Sequence, residues 1–112
     1  MSEEMEKKET GNEVVALMPA VDILESVDNV TLWFEVPGAN AETVNIEVKD
    51  GILSLKAASS LRRNGKPLEF RREFRLADGV DVEKIGAATK DGVLTLVIPK
   101  NEHAKVHKIK VQ

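Results

Sequence analysis

The stretch Ala87-Ala-Thr-Lys-Asp-Gly-Val-Leu-Thr-Leu-Val-Ile-Pro-Lys100 decides the fold class of this chain. Asp91-Gly92 sits between a small-residue segment and an apolar run, and Asp-Gly between extended segments signals a hairpin, because a type I′ turn needs positive φ at both central positions. The run from Val93 to Ile98 is too short for a helix core and stops at Pro99, which cannot continue a central strand. Leu94, Leu96 and Ile98 share one face, and Val93, Thr95 and Val97 share the other. With no charge on either face, the strand is expected to be covered on both sides.

Working outward, the same grammar repeats. Asp50-Gly51 joins Val44–Lys49, with Val44, Ile46 and Val48 in phase, to Ile52–Lys56, with Leu53 and Leu55 in phase. Upstream, Leu32, Phe34 and Val36 alternate with Thr31, Trp33 and Glu35 until Pro37-Gly38 ends the strand. Trp33 is expected to cover an apolar patch. Downstream, Ser59 to Lys66 is polar, and Asn64-Gly65 offers a further tight turn. Leu68, Phe70, Phe74 and Leu76 then alternate with polar residues. Arg72 falls in the apolar phase of that strand, where a cation needs a partner; an acid across a dimer interface is the expected one. A helical hint appears only around Val82–Ile85. About seven short strands with turn signals every eight to twelve residues read as all-β, an immunoglobulin-like antiparallel β-sandwich.

The ends differ from the middle. Met1 to Glu13 is almost wholly charged or polar, the composition of a flexible segment. Val14 to Met18 is an apolar island that either packs on the domain edge or serves as a sticky arm. The expected division is a flexible arm over 1–18, the sandwich over 19–100 and a tail over 101–112. That tail is hydrophilic except for Val106, Ile109 and Val111.

Composition closes several classes of function. The chain has 112 residues and no cysteine, which removes disulfides, thiolate metal sites and cysteine nucleophiles. Sixteen basic and nineteen acidic residues give a net charge of −3, without the basic footprint of a nucleic-acid binder. Arg62-Arg63 and Arg71-Arg72 could touch phosphate, but with so few aromatics and an acidic net charge no nucleic-acid site is drawn. No segment has the length of a membrane helix, and the start is not that of a secretory signal. No membrane partner and a cytoplasmic location are expected. His103 and His107 stand four apart without a third ligand, so no metal site is drawn. No histidine accompanies a serine in a folded segment, and no glycine run precedes a helix. No catalytic residue, cofactor or enzyme activity is expected.

The arrangement from Ala87 to Leu94, Ala-x-x-x-Asp-Gly-Val-Leu, followed by Pro99-Lys100, resembles the signature of the α-crystallin domain of small heat-shock proteins. Pro19-Ala-Val-Asp-Ile23 with Asp28-Asn29 and Val36-Pro-Gly38 is similar to the family's opening strands. Phe70-Arg-Arg-Glu-Phe-Arg-Leu76 resembles its arginine-bearing strand, with Arg72 in the arginine position, and Ile109-Lys110-Val111 resembles its terminal Ile-x-Ile/Val anchor. The resemblance implies an ATP-independent holdase that binds partly unfolded client proteins and self-associates as a homodimer or larger oligomer. About ten residues separate Lys56 from the next strand, a spacing similar to the animal arrangement. There the strand around Lys66 to Leu76 pairs with its own copy, which puts Phe70, Arg72 and Phe74 at the dimer interface; exchange of a strand with the partner is the alternative. Val44, Ile46 and Val48 beside Ala87 and Ala88 are expected to form a shallow groove for a tail or client. Ile109 and Val111 have the i, i+2 spacing to fill it by strand addition, unless they close the domain's own sheet. A non-chaperone binding module built on the same sandwich is the competing function.

Overall fold

In the computed structural model of the protein, which describes residues 13–101 and 109–112, the strands form two four-stranded sheets. They are β1 (Val15–Leu17), β2 (Val21–Glu25), β3 (Asn29–Glu35), β4 (Val44–Lys49), β5 (Ile52–Arg63), β6 (Lys66–Arg75), β7 (Gly86–Lys90) and β8 (Val93–Pro99). One sheet has the order β1-β6-β5-β4 and the other β2-β3-β8-β7. The Val82–Lys84 stretch makes a 3₁₀ turn, where the helical hint lay. The all-β sandwich expected from the alternation is the observed architecture.

The core lies between the sheets and is built from the in-phase residues. Phe34, Val36, Leu53, Leu55, Leu94 and Leu96 are buried, with Phe70 and Ile98 beside them. Phe34 meets Phe74 edge to face, with ring centroids 5.6 Å apart, the geometry that places a positive ring edge against a negative face.

Three two-residue turns hold the hairpins in register. Asp50-Gly51, Asn64-Gly65 and Asp91-Gly92 all have positive φ at both positions, as type I′ loops require. At Gly51 φ is +77° and a Cβ would meet nothing within 4 Å. Gly51→Ala therefore carries only the backbone cost, and about 1 kcal/mol of stability is expected to be lost in a urea titration.

Pro37-Gly38 is a different kind of turn, because both sheets close on it. Val36 N–H donates to the Gly92 carbonyl at 2.8 Å and Ser60 N–H to the Gly38 carbonyl at 2.9 Å. The Ser59 hydroxyl donates to the Pro37 carbonyl at 2.7 Å. This segment is where the chain leaves β3 in one sheet for β4 in the other, so the Val36 N–H on one side and the Pro37 and Gly38 carbonyls on the other pin the two sheets together.

Of three features, the first and third depart from expectation, while the second is the edge packing that was one of two alternatives for the Val14–Met18 island. The polar residues from Ser59 onward are not a loop: β5 continues to Arg63 through a register irregularity between Ala58 and Arg62. Propensity disfavours a strand there, but the Asn64-Gly65 turn and the docking of Ser59 on Pro37 hold the hairpin extended. Second, β1 arises from the apolar island before Pro19 and runs parallel to β6, with Val15, Ala16 and Leu17 opposite Leu68, Glu69 and Phe70. Since β1 and β2 lie in different sheets, no hairpin forces an antiparallel pair. Third, β8 is covered on one face only. Leu94, Leu96 and Ile98 are buried while Val93, Thr95, Val97 and Pro99 are half-buried on the outside.

Candidate functional site

β4 ends one sheet and β7 ends the other, so the sandwich is open between them. The alternation that buries β4's even positions aims Val44, Ile46 and Val48 into this opening, where all three pack partly buried against the core. Opposite stand the small residues of β7. Two hollows result. One of about 140 Å³ is lined by Ala41, Val44, Ile46, Ala87, Ala88, Thr89 and Leu94. The next, about 340 Å³, is lined by Ile46, Val48, Val82, Ile85 and Ala87. Ile46 and Ala87 border both, so the hollows form one groove with two bays.

The groove residues named from the sequence are thus brought together, but the two alanines differ. Ala87 lies opposite Leu96 and Thr89 opposite Leu94, on the core side, whereas Ala88 lies opposite Thr95 on the outer side and borders the groove at its edge. Thr89, which shares Ala87's phase, completes the wall expected from Ala87 to Thr89. Val82 and Ile85 were not anticipated as lining; they come from the 3₁₀ turn and the residue that ends it, whose fold-back no local period announces.

Such a groove has no chemistry to offer beyond apolar contact and strand-edge hydrogen bonding. Ile109 and Val111 are 87% and 88% exposed and belong to no strand, so they do not close the chain's own sheet. His103 and His107 lie outside the described residues. Among the described residues no group of three or more histidine, cysteine or acidic side chains is placed to hold a metal. Nor is any helix long and apolar enough to cross a membrane.

On the opposite side, the residues assigned to a dimer interface separate. Phe70 is buried in the core, so its side chain is not available to a partner. The outer edge of β6 is taken by β1 over Leu68–Phe70, which closes that part of the strand to pairing with a copy and leaves Arg71 to Arg75 beyond it. Among the described residues Arg72 makes no ion pair with an acid. Its Nη1 donates to the Pro19 carbonyl at 3.2 Å and its guanidinium lies 5.0 Å from the Phe74 ring centroid. Within one chain a carbonyl and a ring face thus partner the cation. Since Pro19 is the buried link between β1 and β2, Arg72 fastens the crossing between sheets. Arg72→Ala is expected to cost about 1–2 kcal/mol, read as a lower urea midpoint with an unchanged slope.

The Hsp20/alpha crystallin family model matches residues 22–112. The chain belongs to this family. Among its relatives, "18 kDa antigen 1" of Mycobacterium avium is 35% identical over 104 residues, covering 86% of this chain and 70% of that protein. The 18 kDa heat shock protein of Streptomyces albus G is 33% identical over 101 residues, covering 81% and 71%. A solved small heat-shock protein from Xylella fastidiosa, described as having a distinct high order structure, superposes with a TM-score of 0.67 at 28% identity, over 86% of this chain and 97% of that one. The HspA structure from Xanthomonas axonopodis gives 0.65 at 31% identity, over 75% and 94%. Family membership brings a chaperone role in the stress response, of a kind that is not enzymatic.

Proposed function

We propose that this protein is an ATP-independent holdase, which keeps partly unfolded proteins from aggregating by covering their apolar segments, and that it acts in the cytoplasm. The observation that carries the reading is the two-bay groove between β4 and β7 in a member of a chaperone family, together with an exposed Ile-x-Val tail of matching spacing. In this reading the sandwich over 19–100, with β1 from the expected arm over 1–18 added at its edge, is the framework and the tail over 101–112 the connector. Ile109 and Val111 of one subunit enter the bays bordered by Val44, Ile46, Val48 and Ala87 of another.

The energetics fit a reversible contact. Burying two aliphatic side chains stabilises by roughly 3–6 kcal/mol, most of which the loss of translational and rotational freedom offsets. Subunits joined this way can part under stress and free their apolar surface.

Dimerisation is assigned to the part of the β6 edge that β1 leaves uncovered, with Arg72 and Phe74 on that strand. A dilution series of Arg72→Ala against the parent is expected to show a weaker dimer. An unchanged dissociation constant would move the interface to the free edge of β2, the other outer strand on that side.

The test of the main reading is suppression of light scattering from a heated, unrelated enzyme. Suppression at about equimolar subunits without ATP is expected; none at stoichiometric excess rejects the holdase.

A further inference from the structure

The two outer faces of the sandwich are chemically unlike. Outward residues on β4, β5 and β6 alternate charges, with Glu47, Lys49, Lys56, Arg71, Glu73 and Arg75 spread over the sheet. The outer face of β2-β3-β8-β7 is neutral and largely apolar at its middle, with Asp22, Glu35 and Lys90 as the charges around it. One cross-strand row reads Leu24, Thr31, Val97, Gly86, and the next reads Asp22, Trp33, Thr95, Ala88. Leu24 is 60% and Trp33 36% exposed. The uncharged, mostly apolar composition of β8 belongs to a strand covered on both faces, yet this fold covers one.

The size and border of the face limit what it can hold. Four strands and about three rows span roughly 15 by 14 Å, on the order of 200 Å², far below the ~800 Å² per partner of a stable interface between folded proteins. A second folded copy finds too little there, whereas one extended segment laid across Trp33 matches it. The border is acidic on one side. Asp22 stands beside Trp33, and Glu35 lies two residues on along β3, on the same outer face. Neither carboxylate has a side-chain hydrogen bond or ion pair among the described residues. Lys90 lies at the far corner, on β7.

From these observations we propose that the Trp33-centred outer face of β2-β3-β8-β7 is a client-binding surface for extended apolar segments of unfolded polypeptide that carry a lysine or arginine next to the apolar run. This deepens the holdase reading and rests on it for its biological meaning. Binding there is separate from the β4–β7 groove, so a tail seated in the groove does not compete for it.

Trp33 is the only tryptophan, which makes the face its own reporter. Two synthetic peptides with one eight-residue Leu/Val/Thr run, flanked by two lysines or by two glutamates, are titrated into the full-length protein while Trp33 emission is followed. The lysine-flanked peptide is expected to shift the emission to the blue and to bind at least about tenfold more tightly than the other. Val97→Lys, on the outer face, is expected to weaken that binding about tenfold. The Asp22→Lys, Glu35→Lys double variant is expected to invert the preference, an outcome that loss of folding cannot mimic. Trp33 emission unmoved by either peptide, or a preference that survives the charge reversal, overturns the proposal. Aggregation assays run in parallel keep the two readings apart. Suppression by the parent and equally by Val97→Lys leaves the holdase standing and removes this face from it. Peptide binding without suppression keeps the face as a peptide site and removes the holdase.

Discussion

Ile109→Ser combined with Val111→Ser is expected to reduce the assembled protein to its smallest stable unit, seen by size-exclusion chromatography with light scattering. Both side chains are almost fully exposed in the single chain, so the substitution leaves the sandwich and its melting temperature unchanged. On the proposed docking, what it removes is the apolar filling of the two bays, roughly 3–6 kcal/mol per docked tail, or a factor of about 10²–10⁴ in the contact's equilibrium constant. Filling the groove from the other side is the matching experiment. Ala87→Leu projects a larger side chain where both bays meet and is expected to have the same consequence. Parent and variant running at the same mass would show that the tail assembles nothing.

Gly38→Ala is expected to cost about 3 kcal/mol, a large share of the 5–15 kcal/mol that holds a domain of this size together. Two penalties coincide. The backbone at Gly38 has φ +86°, which costs a side chain roughly 1–2 kcal/mol, and an added Cβ would stand 2.2 Å from the Ser59 Oγ and 3.1 Å from the Ser60 nitrogen. The serine cannot turn away freely, because its hydroxyl bonds the Pro37 carbonyl and accepts from the Leu61 N–H at 3.0 Å. Relief therefore requires β5 to withdraw from the turn that joins the sheets. Denaturant titration of Gly38→Ala beside Gly51→Ala measures the difference between an obstructed and an open glycine at nearly the same φ. Equal losses at the two sites would show that the close approach is not needed.

The strand phases were legible in the sequence because a half-buried strand must alternate, and the positions read as inward at Leu32, Phe34, Leu53, Leu55, Leu94 and Leu96 are buried. The three Gly-containing hairpin turns were legible for an equally local reason, since few residues other than glycine, asparagine and aspartate accept positive φ. The lining of the groove by Val44, Ile46, Val48 and Ala87 followed from the same phases once the fold class was known.

Other features depended on which strands become neighbours. Whether the apolar island before Pro19 packs or stays free was undecidable locally, because the answer is the exposed edge of β6, some fifty residues away in the chain. One of Arg72's intrachain partners is likewise distant: the carbonyl of Pro19, which joins the nearby ring of Phe74 around the guanidinium. β8 shows the limit most clearly. Its composition determines that it is a strand of the core, but whether its second face meets a layer or solvent depends on how many layers the fold has. Sequence by itself determined each strand's inward face and the turns between them, through the period of two and the steric limits on φ. Only tertiary structure decided which edges and faces stay open, because exposure is a property of what lies opposite, and no residue carries that in its own side chain.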